Sequence, residues 1–284
     1  MKSFKSSFIN KQFSFALVMG ATMMFVPFQN TVFAASAQND TANEIKNRIV
    51  ADPNFIKAVG EAIGNQATDD HIREVVKDYL VKNPEVMIEV QEALDKKQAQ
   101  KIAENQSSAI NSMKDEIFNS GNDAVIGNPE GKVTLVEFFD YNCGYCKKAY
   151  PDMQTLIKNN PNLRIVLKDF PILGPDSVKA HIVARAVLKL IPAKYPEFHT
   201  EMLTSEGRAN EEKAIKIALK LGVDEKKLRD AMKDEKLQQV FSTNGQIAYA
   251  LNISGTPSYI LGDEVLVGAV GENILKQKIG LIEK

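Results

Sequence analysis

Between residues 133 and 169 the chain runs strand, Cys-x-x-Cys, helix, strand, and this order constrains its fold more than any other feature. Val133-Thr134-Leu135-Val136-Glu137-Phe138-Phe139 is rich in β-branched and aromatic residues, as strands are, and Cys143-Gly144-Tyr145-Cys146 follows it at once. Helical sequence continues towards Lys158, and Leu163-Arg164-Ile165-Val166-Leu167-Lys168-Asp169 reads as a second strand. A strand, a crossover helix and a second strand predict a parallel pair, so the cysteines belong to an α/β domain.

Cys143 and Cys146 are the only cysteines in the 284 residues. A bridge between them closes too small a loop to restrict the unfolded chain much, so a stapling role explains them poorly. At the start of a helix, unpaired N–H groups and the dipole favour an anion, which predicts a lowered thiol pKa and a reactive thiolate at Cys143 in the first turn. Cys146, one turn on, is placed to attack a mixed disulfide at Cys143 and release the product. Two soft thiolates could instead hold Cu(I), although no second cysteine pair or methionine cluster near the motif would complete a site. His71, His181 and His199 stand singly, without Cys or acidic neighbours at ligand spacing, and no zinc site is expected.

Residues 176–251 read as an all-helical block inserted into the α/β domain, with Asp176, Asn210 and Asp224 as caps and Gly222 as a stop. Ser258-Tyr259-Ile260-Leu261 and Val265-Leu266-Val267, around Gly262-Asp263-Glu264, predict a hairpin, and residues 273–283 a closing helix. Residues 38–121 look entirely helical. Asp69 or Asp70 can cap a helix with Ile72, Val75, Val76, Tyr79 and Leu80 at three and four spacing, ending near Asn83-Pro84. Residues 85–120 contain no Gly or Pro, so one helix of over 30 residues is possible, apolar at both ends and polar between. Such sparse stripes point to an oligomerisation element on a solvated stalk, or else to a subdomain folded on its own chain. The turn-rich stretch 119–123 marks the boundary.

The N-terminus reads as an export signal: Lys2, Lys5 and Lys11 precede an apolar stretch over residues 13–28, and Val32-Phe33-Ala34 offers a cleavage pattern. The alternative, an uncleaved anchor, is disfavoured by Gly20, Thr22 and Pro27 within the stretch. A net charge of −1 with no basic stripe beyond a lysine pair gives nothing to attract a phosphate backbone, so nucleic acid is not expected as a partner.

The run from Glu137 to Lys147, the helical insertion, and Gly255-Thr256-Pro257 before a hairpin together resemble the DsbA family of thioredoxin-fold thiol-disulfide oxidoreductases over about residues 124–284. The helical N-terminal region resembles the ScsC-like subgroup. The resemblance implies an α/β thioredoxin fold with an all-helical insertion, preceded by an all-α region: a signal peptide over 1–34, a helical oligomerisation region and stalk over 35–121, and a catalytic domain over 122–284. It implies that Cys143 attacks, Cys146 resolves, Pro257 is the cis-proline facing the site and Thr256 offers its backbone to the substrate strand. Glu137 then matches a buried acid that relays a proton for Cys146; the alternative is an exposed Glu on an edge strand. Gly144-Tyr145 departs from the Pro-His of the best-known oxidases and supplies no cation, while Thr at 256 is shared with isomerases of the DsbC type. The expectation is a periplasmic, homo-oligomeric (dimer or trimer) disulfide isomerase or reductase without a cofactor. It would act on cysteines of exported proteins and be kept reduced by a DsbD-type membrane partner. A dithiol oxidase served by a DsbB-type partner, or a Cu(I)-binding module, is the alternative.

Overall fold

The computed structural model describes residues 53–63 and 69–283, so the export signal and its cleavage near Ala34 lie outside the described residues. The chain divides into two compact units, residues 1–84 and 85–284.

The first unit holds α1 (Pro53–Ile63) and α2 (Asp69–Lys82). Asp69 and Asp70 occupy the first turn of α2 and Lys82 its last, which complements the helix dipole at both ends. No residue of α2 is buried, and Val75, Val76, Tyr79 and Val81 lie open to solvent.

The second unit begins with α3 (Glu85–Ser112) and α4 (Lys114–Phe118). The single long helix allowed by the sequence is thus interrupted at Met113. Ser112 Oγ donates to the Ala109 carbonyl at 2.9 Å, and such back-bonding competes with the backbone ladder and bends helices. Beyond the break Ile117 is fully buried, whereas in α3 only Ile110 is.

A five-stranded sheet forms the centre, in the order β1-β3-β2-β4-β5, from β1 (Ala124–Gly127), β2 (Val133–Phe139), β3 (Leu163–Asp169), β4 (Ser258–Leu261) and β5 (Glu264–Val267). β2 and β3 are parallel, joined by α5 (Gly144–Asn159); β1, β4 and β5 pair antiparallel to their neighbours. The insertion follows β3 as α6 (Pro175–Leu190), a 3-10 turn (Pro192–Lys194), α7 (Tyr195–Thr204), α8 (Glu211–Lys220), α9 (Glu225–Ala231) and α10 (Lys236–Ala250), and α11 (Glu272–Ile282) closes the chain. Asn210 and Asp224 cap α8 and α9, their side chains accepting from the Lys213 and Lys227 N–H groups. Edge strand β1 had no sequence signal, because four residues ending in Gly127 are too short to show alternation.

Side chains alternate across a strand, so the sheet sorts its residues into two cores. Leu135, Phe139, Ile165 and Leu167 join α5 and the insertion in the larger core. Val136, Phe138, Val166 and Ile260 meet Ile110, Ile117, Ile247 and Leu251 in the smaller. Because Ile110 and Ile117 belong to this smaller core, the division at Pro84/Glu85 leaves it whole and a cut at residue 121 does not. Glu137 shares its face of β2 with Leu135 and Phe139, which aims a carboxyl at the larger core beneath α5.

Candidate active site

α5 begins at Gly144, so Cys143 is its N-cap, one position before the first turn that the sequence suggested. An N-cap side chain accepts from the backbone N–H three residues on, and Cys143 Sγ does so from Cys146 N–H at 3.4 Å. The Cys143 thiol is held down to about 5 by hydrogen bonding from the Cys146 thiol first, with help from the Thr256 side chain and the Cys146 and Tyr145 amides, against an opposing effect of burial. The Cys146 thiol, 1% exposed, is pushed far above the ordinary cysteine range, because it donates to Cys143, is buried, and feels the charge of Glu137. Both thiols are free. One sulfur is therefore a thiolate at neutral pH and its neighbour is its proton donor.

The loop before β4 faces Cys143. Thr256–Pro257 is a cis peptide bond, Pro257 is buried, and in the thiol form Cys143 Sγ–H donates to the Thr256 carbonyl at 3.0 Å. Glu137 lies on a central strand between β3 and β4 and is 3% exposed. Burial foremost, and then the Cys143 charge, push its carboxyl up to about 8, so it is neutral at pH 7. It stands opposite Tyr259 in the β2–β4 register, and that phenol is also pushed up, by burial first and then by the Glu137 charge.

Asp140, Tyr141 and Asn142, within the run from Glu137 to Lys147, make contacts that no spacing in the sequence foreshadows. Asp140 Oδ1 accepts from Asn142 N–H and Ser177 Oγ, each at 2.8 Å. Tyr141 N–H donates to His181 Nε2 at 3.3 Å, and His181 Nδ1 lies 2.6 Å from Asp169, so Nε2 is the acceptor and Nδ1 faces the carboxylate. Asn142 pairs with Ala209. His199, a lone histidine in the sequence, lies 3.2 Å from the Tyr141 hydroxyl with its pKa lowered to about 3 by burial, so it is neutral.

A family model described as a DSBA-like thioredoxin domain matches residues 134–280, just over half of the chain. The chain belongs to the DsbA-like thioredoxin-domain family. A second model, for the copper resistance protein ScsC N-terminal domain, matches residues 70–101 of this DsbA-like protein. The thiol:disulfide interchange protein DsbA of Bordetella parapertussis is 28% identical over 143 residues, 49% of this chain and 68% of its own. A thioredoxin-like oxidoreductase from Silicibacter pomeroyi is 36% identical with a TM-score of 0.57, over 60% of this chain and 96% of its own. Proteus mirabilis ScsC in a transitional conformation is 29% identical with a TM-score of 0.56, over 78% of this chain and 97% of its own. This DsbA-like protein is a thiol-disulfide oxidoreductase of the DsbA and ScsC kind.

Thr256→Val removes a donor from the Cys143 thiolate, and a charge-assisted bond contributes about 1.5 to 3 kcal/mol at most. The thiol pKa should rise, the reduced form lose stability, and the potential become more reducing by roughly 30 to 60 mV. Equilibration with a glutathione buffer, alongside thiolate absorbance against pH, measures both. An unchanged potential would show that Thr256 acts through its backbone alone.

Proposed function

We propose that this protein is an exported, periplasmic, oligomeric disulfide isomerase or reductase, in which Cys143 attacks and Cys146 resolves. The observation that carries the exchange chemistry is the pairing of a thiolate-poised N-cap Cys143 with a buried, protonated Cys146 beside neutral Glu137, and the isomerase or reductase direction is supported by Thr at 256 and by the helical N-terminal region similar to that of ScsC. The Cys143 thiolate attacks one sulfur of a client disulfide, forming a mixed disulfide and releasing the other client sulfur as a thiolate. In reduction, Cys146 attacks Cys143, the client leaves as a dithiol, and Cys143–Cys146 becomes the disulfide. In isomerisation, a different client thiolate attacks the mixed disulfide and Cys143 departs reduced. Pro257 shapes the loop facing the sulfur, and Thr256 offers backbone groups to the client strand. Clients are cysteine-bearing exported proteins, and a DsbD-type membrane partner returns the electrons.

Periplasmic placement is supported by the export signal and by likeness to a protein described as a periplasmic thioredoxin-like protein of Salmonella enterica, 28% identical over 60% of this chain. Assembly is supported by the open apolar residues of α2. The mature chain is expected to be a dimer or trimer by light scattering. A chain starting at Glu85 should be a monomer that keeps reduction of a simple disulfide but loses isomerisation of scrambled clients, which benefits from several sites at high effective concentration. A monomeric full chain would remove the oligomeric half of the proposal.

A DsbA-like oxidase is the second reading, favoured by the low Cys143 pKa, since stabilising the thiolate makes a disulfide more oxidising. Trapping the in vivo redox state separates the two: reduced cysteines support the isomerase or reductase, and a disulfide supports an oxidase served by a DsbB-type partner. A Cu(I) role for the same thiolates would appear as stoichiometric Cu(I) binding without disulfide exchange.

A further inference from the structure

The residue before the attacking cysteine is tied to the insertion more tightly than to the sheet. Asn142 Oδ1 accepts from Ala209 N–H at 2.8 Å, while its Nδ2 donates to the Ala209 carbonyl at 2.8 Å and to Ser177 Oγ at 3.0 Å. The Ala209 backbone offers one donor and one acceptor, which fixes the orientation of the carboxamide and uses both of its N–H groups. Ala209 and Ser177 are fully buried, so nothing else could replace these bonds without unpairing buried polar groups. Ser177 in turn donates to Asp140, and Asp140 Oδ2 accepts from Leu173 N–H at 3.0 Å. The flanking helix is held by the same loop, since Lys147 Nζ donates to the Ser205 and Gly207 carbonyls at 3.4 and 3.0 Å.

We propose that Asn142 is a positioning residue for thiol-disulfide exchange: by pairing with Ala209 and Ser177 it lets the helical insertion fix the turn from which Cys143 caps α5 and faces Thr256–Pro257. This rests on Cys143 being the attacking sulfur. Asp140 and Tyr141 anchor the start of the turn, through Ser177, Leu173 and His181, and Cys143 N–H donates to the Asp140 carbonyl at 2.9 Å, while Asn142 is the residue adjoining the sulfur whose side chain reaches Ala209. A small rotation of residues 140–142 would carry Sγ away from both Cys146 N–H and Thr256. Distances set the strength of such bonds, so the sulfur loses thiolate stabilisation when the clamp is released.

The test compares Asn142→Ala, Ser177→Ala and Val187→Ala in the full mature chain. Val187 is a buried core residue of α6 without a polar contact to the turn, and it reports the effect of destabilising the insertion alone. Each variant is equilibrated with glutathione, titrated by thiolate absorbance, and melted. Asn142→Ala should raise the Cys143 pKa and lower the exchange constant about three- to ten-fold, the latter equal to about 30 mV for the two-electron couple. Ser177→Ala should move both in the same direction by less, and Val187→Ala should lower Tm with both unchanged. Asn142→Ala matching the wild type in redox behaviour, or Val187→Ala shifting it equally, would overturn the proposal. If Asn142→Ala does not fold, Ser177→Ala decides by the same criterion. A wild-type protein without a low-pKa Cys143 would instead overturn the attacking role itself.

Discussion

Cys146→Ala is expected to accumulate mixed disulfides with client proteins, and Cys143→Ala to accumulate none. The first variant keeps the N-cap sulfur but loses the thiol proposed to resolve the intermediate; the second loses the sulfur held as a thiolate. Turnover should fall roughly a thousand-fold or more in Cys143→Ala, since removing a nucleophile leaves only binding and alignment. Cys146→Ala should be alkylated at Cys143 more slowly than wild type at mildly acidic pH, because the Cys146 thiol is the foremost group lowering the Cys143 pKa. Diagonal gels and timed alkylation read the two effects. Equal trapping by both variants would refute the division of roles.

Glu137→Gln is expected to slow resolution about 100-fold while leaving the first attack nearly unchanged, the range assigned to a single general acid or base. The carboxyl is raised by burial and by the Cys143 charge. Once Cys143 enters a mixed disulfide that charge disappears and the carboxyl ionises more readily, which in the proposed mechanism lets it serve as a base for Cys146. The same shift gives a stability signature. Between the ordinary carboxyl value of 4.5 and about 8, the folded, reduced protein holds a proton that the unfolded chain has lost. Stability linked to Glu137 is therefore fully present below pH 4.5, falls as pH rises, and is gone above pH 8, a span of roughly 4 to 5 kcal/mol. Urea titrations of the reduced wild type should show that decline and Glu137→Gln should not. A variant with the wild-type slope and resolution rate would leave Glu137 a passive core residue.

Much of this was legible in the sequence, for physical reasons. Strands β2 and β3 fall on their expected residues, and Asn210 and Asp224 cap where their side chains suggest, whereas Asp176, expected as a cap, stands in the first turn of α6 behind a Gly174 N-cap, because Pro175 already starts the helix. Glu137 was the informative anomaly, a charge within an apolar strand, and the alternation of side chains puts it under the cysteines. The break at Met113 was not legible, because no Gly or Pro marks it and the Ser112 side-chain bond beside it is not a pattern that sequence shows. Nor were the partners of residues 140–142, since Ser177, His181 and Ala209 lie 35 to 67 positions away and meet the turn only when the insertion folds over it. A lone histidine looks the same in sequence whether it binds metal, fills a core or orients a backbone amide.

The most direct test is the pH titration of Cys143 by thiolate absorbance in the reduced wild-type protein, with Cys143→Ala as the blank. A sigmoidal thiolate signal with a midpoint near 5, absent from the blank, is the expected result. A midpoint in the ordinary cysteine range, or a signal that persists in Cys143→Ala, would contradict the assignment of Cys143 as the activated nucleophile.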